Sequence, residues 1–113
     1  MKYILIIFSF LLIGCANNKI SGIYLISDNK ICNESIKIEL KKDSFFIYEG
    51  VNLKGKGIYK LIEDNSNTYL QMNSIEGLYK RDSIIIQNYG NSMNEFVLFS
   101  ECDAKYLYFI KQQ

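Results

Sequence analysis

Three cysteines, Cys15, Cys32 and Cys102, and a scatter of carboxylates carry most of the chemical potential of this chain. The sequence has no histidine. That removes Ser-His-Asp and Cys-His nucleophilic catalysis, the usual zinc sites and the commonest general acid or base. Paired carboxylates are the enzymatic route left. Glu63 and Asp64 are adjacent, so they point to opposite faces of a strand or share a turn. Asp28 and Glu34 meet Glu101 and Asp103 only if Cys32 and Cys102 are joined. Such a cluster could serve a hard cation or a glycosidase, but it reads more simply as solvated loop charge. The expectation is a protein without catalytic residues, metal or cofactor.

Cys15 belongs to a different signal. Lys2 precedes an apolar run over residues 3–13 that closes in Leu12-Ile13-Gly14-Cys15. This run has the length of a signal peptide and is too short to span a bilayer. The tetrapeptide resembles the lipobox of bacterial lipoproteins, where an aliphatic, a variable and a small residue precede a cysteine that is lipidated and becomes the mature N-terminus. The resemblance implies removal of residues 1–14, lipidation of Cys15, a short tether over 15–19 and a single domain over 20–113. Several acyl chains on one cysteine give stable anchoring, at about 0.8 kcal/mol per buried methylene. Five extended steps from Cys15 to Ile20 reach at most roughly 17 Å, which keeps the domain close to the bilayer. An Asp after the lipidated cysteine retains proteobacterial lipoproteins in the inner membrane; Ala16 at that place implies the outer membrane if the source is Gram-negative.

At 113 residues the chain has room for one domain with its own core. Thirteen basic residues face twelve acidic ones, and loss of Lys2 with the leader brings the formal balance to zero. Charge therefore suggests neither a nucleic-acid partner nor an anionic surface. Passage through an oxidising compartment makes Cys32–Cys102 an expected disulfide, with Cα atoms about 4.4 to 6.8 Å apart. A redox pair is the weaker alternative, since such pairs use a close C-x-x-C spacing.

From Ile20 onward, short runs of Ile, Tyr, Phe and Leu alternate with clusters of Asn, Asp, Ser and Gly, and no helical period is sustained. The pattern is all-β. Strands are expected at 20–26, 35–40, 45–49, 57–62, 68–72, 77–80, 83–87, 95–99 and 105–110, an antiparallel meander of eight or nine short strands forming a small barrel or a sandwich. Strict alternation in Ile36-Lys37-Ile38-Glu39-Leu40 gives one buried and one wet face. The segments 41–44, 64–67 and 81–82 supply turn chemistry.

Gly22-Ile23-Tyr24, Gly57-Ile58-Tyr59 and Gly77-Leu78-Tyr79 repeat a Gly-x-Tyr unit at unequal intervals. The unit resembles the Gly-x-aromatic start of lipocalin-like barrels, and the resemblance implies a bend at Gly and an aromatic plug at the barrel end. An eight-stranded barrel can hold one ligand; Tyr24, Phe45, Tyr48, Tyr59 and Phe99 would then line it, although burial in a filled core is the better account of each. In the last third, residues 84–86, 96–99 and 106–110 are apolar on both strand faces. Cover by a second layer is the favoured reading, an exposed apolar patch the other.

Asn88-Tyr89-Gly90-Asn91-Ser92-Met93-Asn94 is the densest set of side-chain amides and the best candidate recognition loop. Its residues Asn88, Tyr89, Asn91, Ser92, Met93 and Asn94 would sit on the rigid base of two strands. A hairpin connection shaped by Gly and Asn is the plainer account. Together these features favour a membrane-anchored, non-catalytic binding module with an envelope protein as partner. A carrier of a small apolar ligand is the alternative.

Overall fold

The computed structural model describes residues 20–90 and 98–113. They form eight strands: β1 Gly22–Ile26, β2 Ile36–Lys41, β3 Ser44–Glu49, β4 Asn52–Asp64, β5 Asn67–Met72, β6 Ile75–Lys80, β7 Ser83–Gln87 and β8 Tyr106–Lys111. Each pairs antiparallel with the next, and β8 returns to β1 to close a barrel. Closure gives the first and last strands of the meander a partner on each side, which resolves the choice between barrel and sandwich.

Hairpin turns fall where the polar clusters stand. Asn65 and Ser66 have φ of 51° and 71°, and Arg81 and Asp82 have 50° and 61°. Two left-handed residues in a two-residue loop match the twist of the flanking strands. Asn and Asp accept that conformation readily; Arg81 does so because Lys80 and Ser83 are already paired on either side of it.

Alternation then fills the interior. Ile36, Ile38 and Leu40 of β2 are buried, with Lys37 and Glu39 between them turned outward. Ile84 and Ile86 of β7 and Leu107 and Phe109 of β8 follow the same rule. Gly77 also faces inward, where a Cβ would come within 2.9 Å of Ile84 Cγ2 and 3.2 Å of Ile86 Cγ1. Its value is clearance for the β7 isoleucines.

β4 is longer than the expected 57–62. Its first half, rich in Lys, Gly and Asn, lacks strand propensity but is held by pairing with β3 across the turn at Gly50, whose φ is 60°. Ile47 pairs with Gly55 and Tyr48 with Leu53, so Lys54 is the extra residue of a bulge. The second half, from Tyr59, pairs with β5 instead.

The last third departs from expectation in two ways. Leu98 and Phe99 are not in a strand, and 95–97 lie outside the described residues. No described strand forms a second layer; Tyr106, Tyr108 and Ile110 stand half exposed on the barrel surface. A closed barrel has one interior, and these outward positions lie beyond it. Register aligns Ile62, Tyr69, Leu78, Ile85 and Tyr108 in one outward-facing apolar row across five strands.

Candidate functional site

Strand direction divides the barrel into two ends. The proximal end holds the start of β1, the turns after β2, β4 and β6, and the C-terminal residues. The distal end holds the turns after β3 and β5 and the two longest connections, β1 to β2 and β7 to β8.

The distal connections cap the barrel. Asp28 opens the first with its side chain accepting from Lys30 N–H at 3.0 Å, which caps a single 3-10 turn at Asn29–Ile31. Cys32 follows and is bonded to Cys102 in the second connection. Asn33 N–H donates to Glu101 carbonyl at 2.9 Å and Asp103 N–H to Ile31 carbonyl at 2.6 Å. These flanking bonds make Cys32 and Cys102 a non-hydrogen-bonded antiparallel pair, the kind in which the chains approach most closely. That accounts for a Cα separation of 3.9 Å, shorter than the expected range.

Asn88 organises the second connection. It is fully buried. Its Nδ2 donates to the carbonyls of Phe99, Cys102 and Ala104, each at 3.1 Å, and its Oδ1 accepts from Phe99 N–H at 2.7 Å. Its own N–H reaches Lys105 carbonyl at 2.6 Å and its carbonyl takes Leu98 N–H at 2.9 Å. All its polar groups are thus spent on backbone. This is a correction to its place in the recognition loop: the side chain braces the cap and offers nothing to a partner. The signal was present in parity, since Asn88 continues the inward series Ile84, Ile86.

Tyr89, next along, is 38% exposed and stands at the surface as expected. Asn91, Ser92, Met93 and Asn94 lie outside the described residues. Phe99, held by Asn88, is buried against Phe109 at a ring separation of 6.4 Å and plugs the distal mouth. The β4 bulge aims Lys54 across that mouth, as bulges do: its Nζ lies 4.9 Å from the Phe99 ring centroid and 2.6 Å from Glu49 Oε1. This pair was not legible in the sequence, because a bulge leaves no local signature.

Of the other proposed liners, Tyr24, Phe45 and Tyr59 belong with Phe99 to one packed core. Tyr48 does not join them: it follows inward-facing Ile47 and stands on the outer face, with Lys37 Nζ 4.8 Å above its ring. Among the described residues no group of three or more His, Cys, Asp or Glu side chains could hold a metal ion.

The three Gly-x-Tyr tyrosines meet at the proximal end. Tyr24 packs edge-on to Tyr79 at 6.3 Å and its hydroxyl donates to Ile20 carbonyl at 2.6 Å. Tyr79 hydroxyl donates to Asp82 Oδ1 at 3.3 Å, and Tyr59 hydroxyl to Lys42 carbonyl. Burial pushes the Tyr24 phenol well above the ordinary tyrosine range, with Tyr79, Asp82 and Tyr59 adding to it. Burial, then Asp43, raises Tyr59 as well. A phenol kept neutral in the fold stabilises it fully below the unfolded pKa of about 10, and the gain is lost as pH rises past that value. Unfolding free energy is therefore expected to fall above about pH 10. Tyr24→Phe should flatten this fall in denaturant titrations; an unchanged slope would remove Tyr24 as its source.

No family model, curated protein or solved structure matches this chain.

Proposed function

We propose that this chain is an envelope lipoprotein, anchored through lipidated Cys15, that works as a non-catalytic binding module and presents its distal cap to another envelope protein. One observation carries the reading. β1 begins at the proximal end, whereas the disulfide, Asn88 and Phe99 close the opposite end. Strands of five or six residues separate those ends by roughly 17–20 Å. A short tether at residues 15–19 would hold the proximal end against the bilayer and leave the cap facing away from it. The cap has what a recognition surface requires: a base stapled by the disulfide, backbone braced by Asn88 and an exposed tyrosine.

Two measurements test this. Cys15→Ala is expected to move the protein from the membrane fraction to the soluble fraction while leaving its melting curve in place, because Cys15 precedes every described strand. Retention of the variant on membranes would sink the anchor. Capture from gently solubilised membranes with the native protein should recover a specific protein, and Tyr89→Ala with Asn91→Ala should weaken that capture roughly tenfold or more. Stability should change by only about 0.5 kcal/mol, the usual scale for an exposed position such as Tyr89. Binding and stability lost in step would mark the segment as purely structural, and recovery of a small apolar molecule in place of a protein would favour a carrier.

A further inference from the structure

We propose that the chain pairs with a second copy of itself, edge to edge, through residues 60–64 of β4. β3 accompanies β4 only as far as Ile58, and β5 accompanies it from Tyr59 to Asp64. Tyr59 N–H donates to Asp43 carbonyl at 3.0 Å, on the β3 side. Backbone groups of alternate residues point the same way in a strand, so those of Leu61 and Glu63 face the side from which β3 has gone. No described residue hydrogen-bonds to them. The result is a short open edge inside a closed barrel, and such an edge is a template for another strand. Its side chains are exposed as well, Leu61 at 47% and Ile62 at 42%.

The sequence around this edge selects its own copy. An antiparallel partner must place its outward-bonding residues opposite Leu61 and Glu63, which leaves few self-pairing registers. Leu61 opposite Leu61 demands that Tyr59 bond Glu63 of the copy, but Tyr59 N–H is taken. Glu63 opposite Glu63 sets like charges together. With Ile62 opposite Ile62, Leu61 pairs with Glu63 in both directions, and Lys60 of each copy lies across from Asp64 of the other. Opposite charges directly across strands favour pairing and like charges oppose it. Ile62 also ends the outward apolar row through Tyr69, Leu78, Ile85 and Tyr108. Pairing in this register joins the two rows into one belt. The cleft of ≈ 250 Å³ lined by Ile58, Lys60, Gln71 and Asn73 lies where β4 passes from β3 to β5, at the foot of this edge.

In this register Ile62 faces Ile62 as a non-hydrogen-bonded pair, the kind that carries Cys32 and Cys102 in the barrel itself. The full chain with Ile62→Cys, treated with copper–phenanthroline and run on a non-reducing gel, is expected to form a covalent dimer. Ile58→Cys, exposed on the half of β4 that β3 occupies, is the control and should remain monomeric. Lys60→Glu in the Ile62→Cys background should slow dimer formation about tenfold, and Lys60→Asp with Asp64→Lys should restore it. These positions are exposed, and unchanged melting curves will confirm that the variants fold. Equal rates for the two cysteine positions, or failure of the charge exchange to restore the dimer, would overturn the proposal. A cross-linked partner that mass spectrometry identifies as a different chain would assign the edge to a foreign strand.

Discussion

Asn88→Ala is expected to destabilise the domain by roughly 3–5 kcal/mol, a large effect for one polar side chain. The carboxamide accepts from one buried backbone N–H and donates to three carbonyls. Removing it strands several backbone groups where water has little access, and each stranded group costs about 1–3 kcal/mol. Asn88→Asp distinguishes bonding from volume. It keeps the shape and the acceptor but turns an oxygen toward the carbonyls of Phe99, Cys102 and Ala104. It should be about as damaging as alanine. Denaturant unfolding checks both, and a loss under about 1 kcal/mol for either would mean that the cap holds itself without the asparagine. Tyr89→Ala, one residue along and half exposed, should be nearly silent by the same measure.

This contrast shows where the sequence was readable. Seven of the nine expected strands coincide with β1 to β3 and β5 to β8 to within about two residues, because an alternating apolar pattern next to Asn, Asp or Gly turns is local information. β4 was underestimated because Asn52-Leu53-Lys54-Gly55-Lys56 is a strand only by virtue of β3 beside it. The disulfide was legible from the cysteine count together with the compartment that the leader-like residues 1–14 imply. Its close pairing was not, since that geometry depends on two connections distant in sequence. The site was harder. Composition drew attention to the amides of 88–94 but gave their orientation only through the parity of Ile84, Ile86 and Asn88. Nothing in the sequence marks the meeting of Lys54, Glu49 and Phe99, which requires a bulge and a loop to converge on one mouth. The outward row of Ile62, Tyr69, Leu78, Ile85 and Tyr108 was visible in part as strands apolar on both faces, yet a covering layer and an exposed belt give the same sequence pattern.

Replacing both Cys32 and Cys102 with serine is expected to cost roughly 4 kcal/mol and to lower the melting temperature by roughly 15–30 °C. The bond spans a sequence separation of 70, so it restricts most of the unfolded chain, and the chain-entropy account assigns the benefit chiefly to that restriction. A second consequence is local. Cys102 lies in the connection that Asn88 braces, and its carbonyl is one of the three acceptors. Without the disulfide, the described part of this segment keeps Asn88, the plug of Phe99 beneath Lys54, two backbone bonds between 31–33 and 101–103 and the Asn33–Glu101 side-chain bond. Proteolysis should therefore begin within 88–105 in the serine variant while the strands remain protected, because local opening precedes global unfolding where few buried contacts hold a segment. The two restraints act on one element, so their losses should not add. Asn88→Ala introduced into the serine variant should cost less than in the native protein, once the segment it organises is already free to open. A double-mutant cycle measures this directly; strict additivity would show that Asn88 and the disulfide stabilise separate parts of the barrel, and that the distal cap is not a single unit.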